Sequence, residues 1–212
     1  ERTRVIYLAN PNNPTGTWVN DDTLVRFLNR VPAHVLVALD EAYFEYAERD
    51  GYPNGLSLLG QYDNLVVTRT FSKLHGLAAL RIGFSVSNPT IADLMNRVRM
   101  PFNVNDLGLA AAEAALDDDE HFARSLQANR AGMAQLTVGL AALGLSCIDS
   151  AANFVTHDTL GDAGPIYEAL LRQGVIVRPI AGYGMPRHLR VTVGTEDENE
   201  RFLSALNDTL RV

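Results

Sequence analysis

Four short apolar runs in the first half of the chain constrain its fold more than any other feature. Each run is largely apolar, and turn residues or helical patterns separate it from the next. The runs are residues 5–9, 35–39, 65–68 and 82–86. Strands that are apolar on both sides are typical of a parallel or mixed sheet with helices on both faces. The sequence therefore predicts an α/β fold with a mixed, mostly parallel sheet flanked by helices.

The second half of the chain predicts a smaller α+β domain. An Ala- and Leu-rich segment (107–116) leads into the acidic run 117–120, which we interpret as the start of a helix because acidic side chains favour that end of the helix dipole. Beyond Gly144, we expect strands at 145–148, 153–156, 175–177 and 189–193, and helices at 165–172 and 196–210. The composition changes near residue 102, which predicts domains of residues 1–101 and 102–212.

Charge and cysteine content exclude several classes of function. The 25 acidic residues exceed the 18 basic ones, for a net charge of −7, which argues against a general nucleic-acid or anionic-membrane binder. The single cysteine, Cys147, excludes an intrachain disulfide and a cysteine-based zinc site, and it permits a reducing compartment. The five histidines lack metal-binding spacing, so we assign no metal ligand.

Three charged residues lie next to predicted strands of the sheet: Asp40 and Lys73 follow apolar runs, and Arg81 directly precedes the run 82–86. Asp40 comes directly after an apolar run, at the edge where open α/β sheets bind ligands; it either caps a turn or pairs with a cation or a ring N–H⁺. Lys73 is either a surface lysine or a desolvated amine that attacks carbonyl carbon. Arg81 either forms an ion pair or holds a phosphate dianion, with the hydroxyls of Thr70 and Ser72 as further donors.

The order of the motifs resembles that of the aspartate aminotransferase superfamily of fold-type I pyridoxal-phosphate enzymes. Five segments carry the resemblance: 10–16 (NPNNPTG), 40–43 (DEAY), 69–73 (RTFSK), 80–84 (LRIGF) and 189–194 (LRVTVG). Within that superfamily, the chain is most similar to the histidinol-phosphate aminotransferases. Ala79 stands where many relatives have glycine, at a position that touches no catalytic group.

The resemblance implies pyridoxal 5′-phosphate as the cofactor and a catalytic role for Lys73. The Lys73 amine would bond to the cofactor aldehyde and later move a proton between substrate and cofactor. Asp40 would pair with the protonated ring nitrogen, which keeps the ring electron-withdrawing. Tyr43 and Asn13 would hydrogen-bond the phenolic oxygen of the cofactor.

The resemblance also implies two anion-binding groups. Thr70, Ser72 and Arg81 would hold the cofactor phosphate. Arg190 would bind the carboxylate of the substrate. Arg178 is either a surface arginine at a strand end or a ligand of the phosphate of histidinol phosphate.

The activity that the resemblance implies is transamination from histidinol phosphate to 2-oxoglutarate, giving imidazole-acetol phosphate and glutamate in histidine biosynthesis. The alternatives are an aromatic amino-acid aminotransferase, an enzyme like threonine-phosphate decarboxylase and, outside catalysis, a regulator module of the same fold or an inactive fragment. The implied partners are a small amino donor, a 2-oxo acid and a second subunit of a homodimer, with no nucleic acid or membrane. We expect a cytoplasmic location.

The chain resembles the carboxyl-terminal part of such an enzyme. Residues 1–101 would be the carboxyl-terminal part of the large cofactor-binding domain, and residues 102–212 the connector helix and small domain. An isolated chain of this extent would leave a sheet edge uncovered. We therefore expect it to be prone to aggregation and inactive on its own.

Overall fold

A computed structural model describes residues 2–211 of the chain and divides it into two compact units. The first unit contains the residues up to Pro11 together with Trp18–Arg124, and the second contains Asn12–Thr17 and the residues from Ser125 onward. The short segment Asn12–Thr17 therefore belongs to the second unit, although the strand before it belongs to the first. No helix within residues 2–211 combines the length and the apolarity needed to cross a membrane.

Four strands form the sheet of the first unit, in chain order: β1 (Val5–Ala9), β2 (Leu36–Asp40), β3 (Leu65–Thr70) and β4 (Gly83–Ser87). β1, β2 and β3 are parallel, and β4 is antiparallel to β3. The mixed, mostly parallel sheet predicted from the apolar runs is thereby confirmed. The parallel arrangement brings the carboxyl ends of β2 and β3 to the same edge of the sheet, where Asp40 pairs with Thr68.

The helices of the first unit are α1 (Asp21–Leu28), α2 (Pro89–Val98) and α3 (Asp106–Leu116). α1 begins at the cap residue Asn20, whose Oδ1 accepts a hydrogen bond from the Thr23 amide at 3.0 Å. Its apolar face packs on the sheet, because both belong to one cluster of buried side chains: Leu24, Leu28, Val37, Leu39, Leu58, Leu65 and Val67. Each side chain of this kind stabilises the fold by about 1.5–3 kcal/mol when fully buried.

The division between the two units lies later in the chain than the predicted boundary near residue 102. It falls within α4 (Asp119–Ala142), between Arg124 and Ser125. α3 remains with the first unit because Ala112 packs against the buried side chains of Phe71 and Ile82. The helical connector expected from the sequence is thus part of the core of the first unit.

The second unit contains an antiparallel sheet of four strands: β5 (Cys147–Ile148), β6 (Phe154–Asp158), β7 (Arg178–Pro179) and β8 (His188–Thr192). The order in the sheet is β5-β6-β8-β7. One core joins this sheet to the later part of α4, to α5 (Ala163–Arg172) and to α6 (Glu196–Leu210). The largest side chains buried in this core include Leu136, Leu140, Leu170, Leu189, Phe202 and Leu206.

The strand predicted at residues 175–177 lies instead at Arg178–Pro179. The residues before it complete the end of α5: the amides of Gly174 and Val175 donate to the carbonyls of Leu171 and Leu170, each at 3.0 Å. Gly174 has a φ of 76°, the left-handed conformation typical of a helix end. Because these residues serve the helix end, the strand starts later than the apolar pattern indicates.

Candidate active site

Asp40 lies at the carboxyl end of β2, between two parallel neighbours. It pairs with Ala9 of β1 on one side and with Thr68 of β3 on the other. Its Oδ1 accepts hydrogen bonds from the Ala42 amide at 3.1 Å and from the Thr68 hydroxyl at 3.3 Å. These bonds hold a half-buried carboxylate at the edge where open α/β sheets bind their ligands.

Lys73 follows β3 by three residues and lies near the ring of Tyr43. Its Nζ is 5.1 Å from the centroid of that ring, within the range of a cation–π interaction. Lys73 is half-buried, and Tyr43 is 5% exposed. The structure therefore brings together two of the side chains that the sequence assigns to one site.

The turn between β3 and Lys73 is organised by Thr70. The Thr70 Oγ1 accepts a hydrogen bond from the Ser72 amide at 3.1 Å and lies 3.5 Å from the carbonyl oxygen of Ile82. The hydroxyl that we expected to hold a phosphate thus also shapes the backbone that presents Ser72 and Lys73. Its part in binding an anion stays a prediction.

Arg81 has a left-handed backbone conformation, with φ 54° and ψ 50°. That conformation costs a residue other than glycine about 1–2 kcal/mol, and such costs are concentrated at functional sites. The exposed Arg81 side chain donates from Nη1 to the Ala78 carbonyl at 2.8 Å. Because a guanidinium has five N–H donors, donors remain for a phosphate dianion.

Asn12–Thr17 forms a turn that is bound to the sheet of the second unit. The carbonyl of Gly16 accepts a hydrogen bond from the Ala151 amide at 2.9 Å, and the carbonyl of Pro14 accepts one from the Thr156 hydroxyl at 2.5 Å. Gly16 has a φ of 77°, and a Cβ on it would overlap the side chain of Ser150. The turn therefore requires a glycine at this position, both for its backbone conformation and for its close approach to Ser150.

Two arginines lie side by side in the second unit. Arg178 and Arg190 are directly opposite each other on β7 and β8, so their side chains share a face of the sheet. Arg190 donates from Nη1 to Asn13 Oδ1, and its guanidinium carbon lies 5.0 Å from the ring centroid of Phe154. Both arginines line a cavity of about 860 Å³. Two neighbouring guanidinium groups suit an anionic ligand, since the anion offsets their mutual repulsion.

Glu41 is a buried acid next to Asp40 that we did not identify from the sequence. It is 0% exposed; its Oε2 accepts from Arg69 Nε at 2.9 Å and Nη2 at 2.7 Å, and its Oε1 accepts from the Gly55 amide at 2.8 Å. Burial raises the pKa of Glu41 above its usual value, and the hydrogen bonds from Arg69 and Gly55 oppose that rise. The sequence shows an acid after a buried strand, but not that its partner lies 28 residues away.

A model of the family "Aminotransferase class I and II" matches residues 1–206. The chain belongs to this family. This aminotransferase chain is 60% identical over 209 residues to histidinol-phosphate aminotransferase 1 of Nitrosococcus oceani, an overlap of 99% of this chain and 56% of that protein. It is also 60% identical to histidinol-phosphate aminotransferase 2 of Pseudomonas aeruginosa, covering 99% of this chain and 57% of that protein. The chain thus spans little more than half the length of these curated relatives.

Solved aminotransferase structures share the fold. The histidinol-phosphate aminotransferase of Sinorhizobium meliloti, in complex with pyridoxal-5′-phosphate, matches with a TM-score of 0.91 and 34% identity, over 98% of this chain and 57% of that one. The aspartate aminotransferase of Thermotoga maritima matches with a TM-score of 0.87 and 21% identity, over 99% of this chain and 57% of that one. These findings confirm the family and fold that the motifs resemble.

Proposed function

We propose that the full-length protein is a pyridoxal 5′-phosphate-dependent aminotransferase that transfers the amino group of histidinol phosphate to 2-oxoglutarate. The observation that carries this proposal is 60% identity, over nearly the whole chain, to relatives named histidinol-phosphate aminotransferase. The structure supports the proposal through the contact between Lys73 and the ring of Tyr43. Tyr43 follows Asp40 by three residues, so all three side chains belong to neighbouring segments.

The side chains of the first unit fit this cofactor in their chemistry. A carboxylate (Asp40) suits a protonated ring nitrogen, an amine (Lys73) suits an aldehyde, and a phenol (Tyr43) suits the phenolic oxygen. The Arg81 guanidinium and the Ser72 hydroxyl suit a phosphate dianion. When bound, the cofactor supplies an electron-withdrawing ring that stabilises negative charge on the neighbouring carbon of the substrate.

Each of these side chains would have a separate task in the reaction. Asp40 would keep the ring nitrogen protonated, since its bonds to Ala42 and Thr68 fix its carboxylate. The Nζ of Lys73 would hold the cofactor until the substrate amine displaces it, and the freed amine would then move a proton from the substrate Cα to the cofactor. The ring of Tyr43 would orient the Lys73 amine, because the two groups are already in contact.

The arginines of the second unit would bind the anionic ends of the substrates. Arg190 would hold a carboxylate of 2-oxoglutarate, and its bond to Asn13 fixes the direction of its guanidinium. Arg178, opposite Arg190 on the neighbouring strand, would bind the phosphate of histidinol phosphate. The substrate preference of the enzyme would therefore depend on Arg178.

A homodimer in the cytoplasm completes the proposal. Val98, Met100 and Phe102 are 83%, 75% and 97% exposed, as is typical of apolar side chains that a further subunit or chain segment covers. The single cysteine agrees with a reducing compartment.

A substrate panel on the full-length protein tests the proposed function. We expect transamination of histidinol phosphate with 2-oxoglutarate, and a kcat/KM for phenylalanine that is lower by at least about 100-fold, because phenylalanine lacks the phosphate. Arg178→Ala should lower kcat/KM for histidinol phosphate by about 10- to 100-fold, in the range for a lost charged contact, and leave that for phenylalanine nearly unchanged.

Three outcomes of the panel contradict the proposal. Equal use of phenylalanine by the wild-type protein would indicate an aromatic aminotransferase. Release of carbon dioxide from threonine phosphate, without amino transfer, would indicate a decarboxylase. Binding of the cofactor with no turnover of any donor would indicate a regulator or an inactive protein.

A further inference from the structure

A buried ion pair joins the ends of the two strands that precede the proposed catalytic residues. Glu41 follows β2, Arg69 lies near the end of β3, and their side chains are 0% and 11% exposed. Asp40 contacts Thr68, whereas Glu41 contacts Arg69, the next residue along in each segment. Since successive side chains of a strand point to opposite faces, the ion pair lies on the other face of the sheet from the Asp40 carboxylate.

The ion pair also holds two loops. Arg69 donates from Nη2 to Asn54 Oδ1 at 2.8 Å, and its guanidinium carbon lies 3.5 Å from the ring centroid of Phe44. The Gly55 amide donates to the remaining Glu41 oxygen, and a Cβ on Gly55 would lie only 2.8 Å from that oxygen. Both oxygens of the carboxylate are therefore bound, and the loop containing Phe44 is stacked on the cation.

The loop held in this way is the one that carries Tyr43. It leaves β2 at Asp40, makes a turn in which the Phe44 amide donates to the Glu41 carbonyl at 3.0 Å, and places Tyr43 near Lys73. Buried ion pairs are weak contributors to stability, because the cost of removing two charges from water offsets their attraction. A pair whose two side chains make five directed contacts therefore needs a reason other than stability.

We propose that the Glu41–Arg69 ion pair is a positioning device, which holds Asp40 and Tyr43 in the correct place relative to Lys73. Glu41 and Arg69 are positioning residues, because they act through these neighbours and not on the substrate. The proposal rests on the proposed function, since it assigns the pair a part in the same reaction. Displacement of a catalytic group by about 1 Å can lower a rate by about 100-fold, so a device of this kind has a measurable effect.

Exchange of the pair for apolar residues separates positioning from stability. Glu41→Met and Arg69→Met should each lower the melting temperature of the full-length protein, because each leaves a buried charge without its partner. The double variant E41M/R69M should recover most of that loss, since apolar replacements of similar volume are tolerated. Its kcat should nevertheless stay about 10- to 100-fold below wild type, with KM values for both substrates within about twofold.

Two further readouts report the positions of the groups directly. The visible circular dichroism of the cofactor-loaded double variant should be weaker than that of the wild-type protein, because the side chains around the cofactor are less well ordered. In the cofactor-free protein, hydrogen exchange at the amides of Ala42 and Phe44 should be faster in the double variant. This second readout depends neither on the cofactor nor on turnover.

Two variants serve as controls. Leu24→Ala removes a fully buried side chain from the core of the same unit and should lower the melting temperature without changing kcat. Arg69→Lys keeps the charge but loses the planar fork that makes the two bonds to Glu41, and it should lower kcat several-fold with little change in KM. Arg69→Lys keeps the test decisive if the methionine variants do not fold.

The outcomes distinguish this proposal from the proposed function. A double variant with recovered stability and wild-type kcat, or an Arg69→Lys variant with wild-type kcat, would show that the pair is structural only. Wild-type protein in which Lys73 does not carry the cofactor would refute the proposed function. Hydrogen exchange at Ala42 and Phe44 would then still show whether the ion pair orders the loop.

Discussion

Lys73 is the only lysine of the sequence, whose 18 basic residues comprise this one lysine and 17 arginines. An aldehyde bonds to an amine, whereas the guanidinium of arginine remains protonated and does not compete. Within this chain, covalent attachment of an aldehyde cofactor to a side-chain amine therefore has a single destination. The half-buried position of Lys73 near Tyr43 agrees with that task.

Reduction with borohydride tests this assignment at the level of one residue. We expect the reduced full-length protein to carry the cofactor on the peptide that contains Lys73, as measured by mass spectrometry. Lys73→Arg keeps the positive charge but has no reactive amine, so it should yield no adduct there and lose about 10³-fold or more in kcat. An adduct on a different lysine of the full-length protein, with Lys73 unmodified, would refute the assignment.

Some residues of the candidate site could be predicted from the sequence, and others could not. Asp40 and Lys73 each follow an apolar run directly or within a few residues, and the fold of parallel strands brings such positions to one edge. Glu41 was missed because its burial depends on Arg69, Gly55 and Asn54, which are distant in the chain. Sequence spacing indicates where a strand ends, but not which side chains from distant parts of the chain contact each other on the far face of the sheet.

At the scale of the element, long patterns predicted structure better than short ones did. The last helix is predicted at residues 196–210, where α6 lies, because Phe202, Leu206 and Leu210 recur at helical spacing after an acidic first turn. β7 has only two residues and was misplaced, since the end of α5 decides where it begins. α2 was not predicted, although Asn88 and Pro89 form a typical helix start.

The turn Asn12–Thr17 depends on the backbone conformation of Gly16, and through Asn13 it contacts the proposed substrate-binding residue Arg190. Gly16→Ala would place a Cβ against Ser150 and would require an alanine with a left-handed backbone conformation. We expect a loss of about 1–3 kcal/mol in the free energy of unfolding, measured with urea. The same turn contains Asn13, whose side chain accepts a hydrogen bond from Arg190. A displaced turn would therefore also disturb Arg190, and KM for 2-oxoglutarate should rise.

A second substitution separates the two causes of that loss. Ser150→Gly in the Gly16→Ala background removes the overlapping side chain but not the left-handed backbone. The double variant should therefore recover part of the stability and keep a deficit of about 1 kcal/mol. A Gly16→Ala protein as stable as wild type, with an unchanged KM, would show that the turn tolerates a side chain and does not position Arg190.

At the scale of the whole molecule, each unit contains a histidine whose burial disfavours its charged form. In the first unit, burial and the nearby His121 lower the pKa of His75. In the second unit, His157 is 0% exposed and packs near the ring of Phe202; its burial lowers its pKa, and the electrostatic interaction with His188 adds to the effect. The backbone carbonyl and the carboxylate of Asp158 oppose this shift. Both units should therefore lose stability in mild acid.

The direction of this pH dependence follows from how strongly the folded and unfolded states bind a proton at His157. Because the pKa of His157 is lowered in the folded protein, His157 takes up a proton more readily in the unfolded chain when the pH falls below about 6.5, so acid favours unfolding. Between pH 7 and 5.5 this group should lower the free energy of unfolding of the second unit by at most about 1 kcal/mol, the limit set by the ordinary pKa in the unfolded chain. His157→Leu should make the urea-unfolding free energy of that unit less dependent on pH in this range, whatever its effect at pH 7.

Phe202→Leu disturbs the same packing without removing a titrating group, and should change the stability but not its pH dependence. If His157→Leu kept the wild-type dependence, the acid sensitivity would have to arise from another group, and His157 would have to be protonated in the folded core.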